Sequence, residues 1–513
     1  MDFLGLSLQN MISISFLFFI LLFFFFIWPN NKWHSLSMSE IGLKQRIIIS
    51  ITMLITILIS VLPMPLSPYW NGTEKAFADK QQYDRMGDAL LQGRLYIDNG
   101  DIDPALEAME NPYVRKDRER LGIKYNWDEA YYNNHYYMYF GVVPTIVLFI
   151  PFKLLTGNAL LTYQATQFFS SLTIIGLFYL FYILCRHYFP KFPFSLYLLL
   201  SSAFSILSIG YSIAAPALYC TAIVSGVCFM VWCIIYFFKA IWLEAGKSVN
   251  KIYLFAASLL GALAFGCRPP VGLANLIVFV VIYQIIKTDY NTVKEKRKLI
   301  VLTLFPYIVV GVMLMLYNYA RFDNVFEFGQ SYQLTLADQH MYRSFFERFN
   351  LKSMISGLYF SFYAINSITP HFPYIHFNGV FINFPILLLA AKILSKDIST
   401  ELNQKKLFLF SLCMFFLPFL ITLFEIYWSP FLLERYHLDF YYLLCIVSFI
   451  GVAQWIEIIA KNKKQVLVFC LTILAFWVFV IEFLFFCIPY DGNFIAFHPE
   501  ILDMIHQGLR FGL

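Results

Sequence analysis

The chain reads as an all-α protein, a polytopic transmembrane helical bundle of about twelve spans with interfacial helices on its outer face. Three observations predict this. Hydrophobic residues make up 59% of the 513 positions and charged residues only 13%, whereas a soluble domain carries about 25% charged residues. Mean hydropathy is +0.65. The apolar residues fall in runs close to the ~20 that cross ~30 Å of hydrocarbon as a helix.

The runs lie at about 11–28, 46–63, 159–185, 194–210, 217–238, 252–267, 270–287, 299–319, 376–394, 407–425, 434–457 and 465–488. The first could pass for a signal peptide. It has no positive n-region and no A-x-A site after it, so it is read as a span. One further run, "GVVPTIVLFIPFKLL" at 141–155, is short and interrupted by Pro144 and Pro151. Runs of that length are more often interfacial or re-entrant.

Charge decides its placement. With 141–155 not crossing, twenty of the 37 Lys and Arg fall in connections on one side, including Lys32, Lys44, Arg46, Lys239 and the cluster Lys294–Lys298. If 141–155 crossed, every connection after the first would flip, and seventeen of those charges would oppose the first three. The positive-inside rule therefore places both termini and two large loops outside. The expected organisation is two N-terminal spans (1–63), a first outer loop with interfacial and re-entrant helices (64–158), central spans (159–319), a second outer loop (320–375), C-terminal spans (376–488) and an outer tail (489–513). The expected location is a cytoplasmic (inner) membrane, with the site facing the outer or periplasmic side.

The net charge of +5 says little by itself, and no nucleic-acid partner is expected. All nine Cys lie in or beside spans, so neither outer loop carries a disulfide framework or a metal-ligand spacing.

Charges inside spans are costly and mark function. Here the spans are nearly clean. The exceptions gather near the outer ends: Arg268, Glu425, Glu434, Arg435, His437, Asp439 and Glu482. Neither a chain of acids toward the midplane nor paired broken helices is seen, as a secondary transporter would require. The polar equipment is read as an outward-facing cavity.

The stretch "ADKQQYDRMGDALLQGRLYID" (78–98) follows a span directly and carries Asp79, Asp84, Asp88 and Asp98. As a helix, Asp79 and Tyr83 share one face with Met86 and Leu90, while Lys80, Asp84 and Asp88 share another, with Arg85 three before Asp88. Asp84 and Asp88 thus have local basic partners, the pattern of a solvated ion-pair face. Asp79 has none, and it reads either as a helix-dipole partner or as a general base. Asp98, Asp101 and Asp103 miss the EF-hand order. The tyrosines from Tyr131 to Tyr139, Tyr137 among them, form an aromatic belt or a sugar-stacking wall, with Asp128 and His135 set in it. Arg268 in "AFGCRPPVG" stands at a span end before two prolines, where it either snorkels or grips a phosphate. Arg435 and Asp439 are four apart, as a helical ion pair or a polar cavity wall.

The pattern of Asp79, Tyr83, Leu90-Leu91 and Gly93, followed by a proline-bearing re-entrant helix at Pro144–Leu155, resembles the first outer loop of the GT-C membrane glycosyltransferases. These include protein O-mannosyltransferases and lipid A aminoarabinose transferases. "GALAFGCRPP" resembles the later span end where a basic residue meets a carrier-lipid phosphate. "WDEAYYNNHYYMYFGVVP", "YNYARFDNVFEFGQSYQL" and "ERYHLDF" resemble a group of little-characterised bacterial integral membrane proteins assigned to that class. The resemblance covers roughly 46–450. It departs from the family at Lys80, where a second acid is common, at Gln82, where a base is common, and in an extra first span.

The resemblance implies a GT-C fold and transfer of a sugar from a polyprenyl-phosphate-linked donor to an outer-face acceptor, whether glycan, lipid or protein. It implies membrane lipids as further partners, a bacterial source and no required cofactor, with a divalent metal left open. The implied catalytic set is Asp79, Asp84 and Asp128. The implied substrate-binding set is Tyr83, Tyr137, Arg268, Arg435, Asp439 and, in the second loop, His371. The competing functions are a lipid-linked glycan flippase or other transporter, a glycan polymerase and a non-catalytic envelope scaffold.

Overall fold

Two adjacent prolines set the central break in the architecture. Pro269 disfavours helix at the residue before it, and Arg268 is extended, with φ −157° and ψ 115°. The helix Lys251–Cys267 therefore stops there, and Pro269 opens the next helical turn, where its missing N–H costs nothing. In a computed structural model, residues 8–28, 31–66, 81–98, 102–216, 218–243, 249–287, 292–335, 350–366, 372–429, 432–488 and 499–509 are described. Asp79 and His371 lie outside them.

Among the described residues, eight helices are long and apolar enough to cross a membrane: Leu43–Val61, Thr162–Tyr188, Leu218–Trp242, Pro269–Lys287, Val293–Phe322, Phe408–Trp428, Glu434–Ile458 and Lys463–Phe486. The protein is thus an all-α, multi-pass membrane protein. Four more of the expected runs form shorter apolar helices, at Ser13–Ile27, Phe194–Leu207, Lys251–Cys267 and Pro385–Leu394. The last replaces an expected continuous span at 376–394 with a short helix, Val380–Asn383, and a tighter 3₁₀ segment that starts at Pro385. The 141–155 run is a π turn at Thr145–Phe149 leading into a helix, Ile150–Thr156. At ~1.5 Å per residue that is far short of ~30 Å.

Helix burial separates the centre from the rim. In Leu218–Trp242 and Glu434–Ile458, 83% of the most apolar stretch is inside the protein, against 11% in Leu43–Val61 and 17% in Val293–Phe322. The outer helices turn Ile47, Ile51, Leu54, Ile55, Leu58 and Val301, Phe305, Ile308, Val312 outward. Apolar faces that continuous fit lipid tails rather than water.

The first long loop packs as a layer over the helix ends. Its helix Gln82–Leu91 lies against the π turn and the helix Ile150–Thr156. Two antiparallel strands, Ala130–Tyr132 and His135–Tyr137, form its hairpin, turned by Asn133 and Asn134 at positive φ. Ala130 also bridges to Gln333 from the second loop. At the seam a Cβ on Gly141 would collide with the carbonyl oxygens of Gly266 and Cys267. Only glycine lets the loop sit this close to the helix end that carries Arg268. The second loop adds a helix the sequence reading lacked, Leu351–Phe362, with Leu351, Ile355, Tyr359 and Phe360 exposed.

Candidate functional site

The loop layer and the helix ends enclose a cavity of about 600 Å³. Asp128, Arg268, Arg321, Glu425 and Arg435 all line it, with Tyr139, Tyr219 and Gln333. Its apolar walls include Phe265, Leu314 and Trp428.

Asp128 is held from both sides. It sits in the left-handed region, φ 63°, which Asp tolerates better than most residues. Its N–H donates to the Leu334 carbonyl at 3.0 Å, and the Leu334 N–H donates to the Glu129 carbonyl at 3.0 Å. The Tyr219 hydroxyl donates to one carboxylate oxygen and the Gln333 amide to the other. Burial raises the Asp128 pKa above the usual carboxylate range, against the opposing pull of these two donors and of Arg435. The neighbouring Glu129, fully buried, takes Arg85 at 2.7 Å and Asn126 at 3.1 Å. That pair ties the helix Gln82–Leu91 to the strand that follows Asp128.

The three arginines differ in what they are committed to. Arg268 makes a two-point contact with the buried Asp439, Nε–Oδ1 2.6 Å and Nη2–Oδ2 2.8 Å. Arg321 donates to the Met138 carbonyl at 2.7 Å and to Asn318 at 2.9 Å, and its guanidinium lies 3.9 Å from the Tyr317 ring centre. Arg435 lies 4.0 Å from the Tyr219 ring centre. Among the described residues neither Arg321 nor Arg435 has a carboxylate within ion-pair distance. Two guanidiniums held in no ion pair, set beside aromatic faces, have the chemistry to receive an anion. No group of three or more His, Cys, Asp or Glu among the described residues is placed to hold a metal ion.

Of the residues marked from sequence, the structure brings Asp128, Arg268 and Arg435 into one cavity, with Asp439 behind Arg268. It separates the others. Asp84 faces the short helix Ile150–Thr156, where Lys153 Nζ lies 3.1 Å from Asp84 and 2.5 Å from Asp88. The local ion-pair face is thereby corrected: Arg85 turns to Glu129 rather than Asp88, because this packed helix supplies a nearer cation. Tyr83 is fully buried, stacked on Phe149 at 5.2 Å, and does not line the cavity. Tyr137 packs edge-on against Phe322 at 5.2 Å, also away from the lining. The Arg435–Asp439 helical pair is corrected too. Arg435 belongs to a 3₁₀ turn, Glu434–His437, ahead of the helix, and Asp439 is taken by Arg268. Asp98 and Asp103 have structural duties. Asp98 accepts from the Tyr136 N–H at 3.1 Å, and Asp103 caps a helix through the Ala105 N–H at 2.9 Å.

Arg321, Tyr219 and Gln333 were missed as site residues. Arg321 was the recoverable one: a basic residue at the end of a long apolar run, as Arg268 is. Comparison with protein-family models finds no match for the chain, and comparison with curated proteins finds none.

Proposed function

We propose that the protein is a membrane glycosyltransferase that moves a sugar from a polyprenyl-phosphate donor to an acceptor at the face carrying its two large loops. One observation carries the reading. A single cavity at the ends of apolar helices holds a buried carboxylate, Asp128, and two guanidiniums, Arg321 and Arg435, that form no ion pair among the described residues. A phosphate with a sugar on one side and an isoprenoid chain on the other needs such a combination of cations, an acid and greasy walls.

In this reading Asp128 takes the proton of the acceptor hydroxyl as its oxygen attacks the anomeric carbon. The bond from that carbon to the phosphate oxygen breaks, and Arg321 and Arg435 stabilise the charge left on the phosphate. Burial of Asp128 makes it more basic than an exposed carboxylate, which suits the task. Arg268 is a positioning residue, since its fork is filled by Asp439. Asp79 is the competing acid.

The test uses full-length protein in lipid vesicles with polyprenyl phosphates bearing radiolabelled sugars. The expected result is label leaving the lipid in wild type and staying on it in Asp128→Asn. Label that changes leaflet while still bonded to the lipid would replace the transferase with a flippase.

A further inference from the structure

A second cavity, of about 560 Å³, lies beside the first. Ser429, Leu432 and Leu433 line both, so the two share a wall. The 3₁₀ turn Glu434–His437 divides its side chains between them. Arg435 and Tyr436 line the first cavity, while Glu434 and His437 line the second.

The chemistry of the two is opposite. Among the described residues, no Lys or Arg lines the second cavity. Its polar groups include side-chain amides and hydroxyls, from Asn350, Asn378, Ser353 and Ser361, with the His437 imidazole and one carboxylate, Glu434, among the described residues. Ser361 is only 5% exposed as a residue, and it lines the cavity. Glu434 has no ion pair among the described residues. Phe360 and Phe377 add flat apolar faces. The wall is built closely: a Cβ on Gly357 would collide with the Ile426 side chain, so the helix Leu351–Phe362 lies hard against Phe408–Trp428.

We propose that this second cavity binds an uncharged saccharide and is the acceptor subsite of the reaction; the word acceptor rests on the transferase reading. Amides and hydroxyls donate and accept at once, as sugar hydroxyls require. A carboxylate with no cation beside it receives hydroxyl donors and repels an anionic ligand. Aromatic faces cover the apolar side of a pyranose ring. The shared wall puts such a ligand next to the anion site, where a hydroxyl meets the donor's anomeric carbon.

The experiment is equilibrium dialysis of labelled neutral saccharides (glucose, N-acetylglucosamine, maltose and chitobiose) and of glucuronate against full-length protein in lipid nanodiscs. Saturable binding of at least one neutral sugar is expected, with glucuronate weaker by about tenfold or more. Glu434→Gln and Ser361→Val should each weaken that sugar by about tenfold, as loss of a hydrogen bond to a charged or buried group does. Polyprenyl-phosphate binding by the same variants should be unchanged, which also shows that they are folded. No saturable neutral sugar, or equal binding by both variants, overturns the proposal. Sugar binding that depends on Glu434 and Ser361, with no transfer from any lipid-linked donor, leaves the saccharide site standing and removes the transferase.

Discussion

Arg268 and Asp439, 171 residues apart in the chain, meet through two parallel hydrogen bonds of 2.6 and 2.8 Å. The pair joins the break between two helices to the first turn of a third, and it forms the floor of the cavity. Asp439 is fully buried and Arg268 nearly so. Removing one member leaves the other charge buried without a partner, which typically costs about 3–5 kcal/mol. Asp439→Asn and Arg268→Ala are therefore expected to lower the thermal unfolding midpoint in detergent. Arg268→Lys should recover only part of the loss, since an ammonium makes no two-point contact.

Arg321 and Arg435 should behave differently. Both have ring contacts, and Arg321 a carbonyl contact as well, but neither is held by a carboxylate at ion-pair distance among the described residues. Arg435→Gln is expected to unfold close to wild type and to lose affinity for a polyprenyl phosphate by about tenfold or more, the scale of a charge-assisted hydrogen bond. Titration of the lipid against both proteins checks it. Equal affinity would mean that the anion site lies elsewhere.

Asp128 predicts a pH dependence. Its folded-state pKa lies above the unfolded value because burial disfavours the carboxylate. Ionising it in the folded protein costs stability, so its contribution is most favourable at low pH, below the unfolded pKa, and declines as pH rises through the folded one. Activity runs the other way, since a general base works only once it has lost its proton. The acidic limb of the transfer rate should sit above the ordinary carboxylate range. Asp128→Asn should lower the rate by ~10²–10⁴ and abolish that limb. If Asp79→Asn removes transfer and Asp128→Asn does not, the base is Asp79.

Lys153 holds Asp84 and Asp88 from the short helix Ile150–Thr156. Lys153→Met is expected to cost roughly 1 kcal/mol, because Asp88 is half exposed and water shares the load. The loosened helix should show as faster proteolysis within 145–156. Asp84→Asn should keep transfer activity. Its loss would return Asp84 to the catalytic set.

Topology is open to direct measurement. Single cysteines at Glu110 and Lys296 are expected on opposite sides of the membrane. An impermeant thiol reagent should reach one from outside and the other only after permeabilisation. Labelling of both from the same side would place 141–155 across the bilayer.

The sequence was most informative where physics is local. Pro269 and Pro270 mark the break at Arg268 without any knowledge of neighbours, and Pro144 and Pro151 mark the short helical segment 145–156. It was least informative for partners. The spacing of Arg435 to Asp439, and of Arg85 to Asp88, satisfied the helical pairing rule, yet both acids took cations from distant elements. Tyr83 looked like a binding residue by pattern and is fully buried. Arg321 went unmarked because an arginine at a span end has the same sequence signature whether it snorkels to headgroups or lines a cavity.

What the sequence determined by itself was the membrane class, the places where helices stop and the stock of acids, arginines and tyrosines beside those stops. Apolar run length, proline geometry and charge asymmetry act over a few residues, so they are written in the order of the chain. What only the tertiary structure decided was which charges meet: Arg268 with Asp439, Arg85 with Glu129, Lys153 with Asp84 and Asp88, and Arg321 and Arg435 in no ion pair among the described residues. Charge pairing depends on distance in space and on burial, and both are set by how the helices and loops pack.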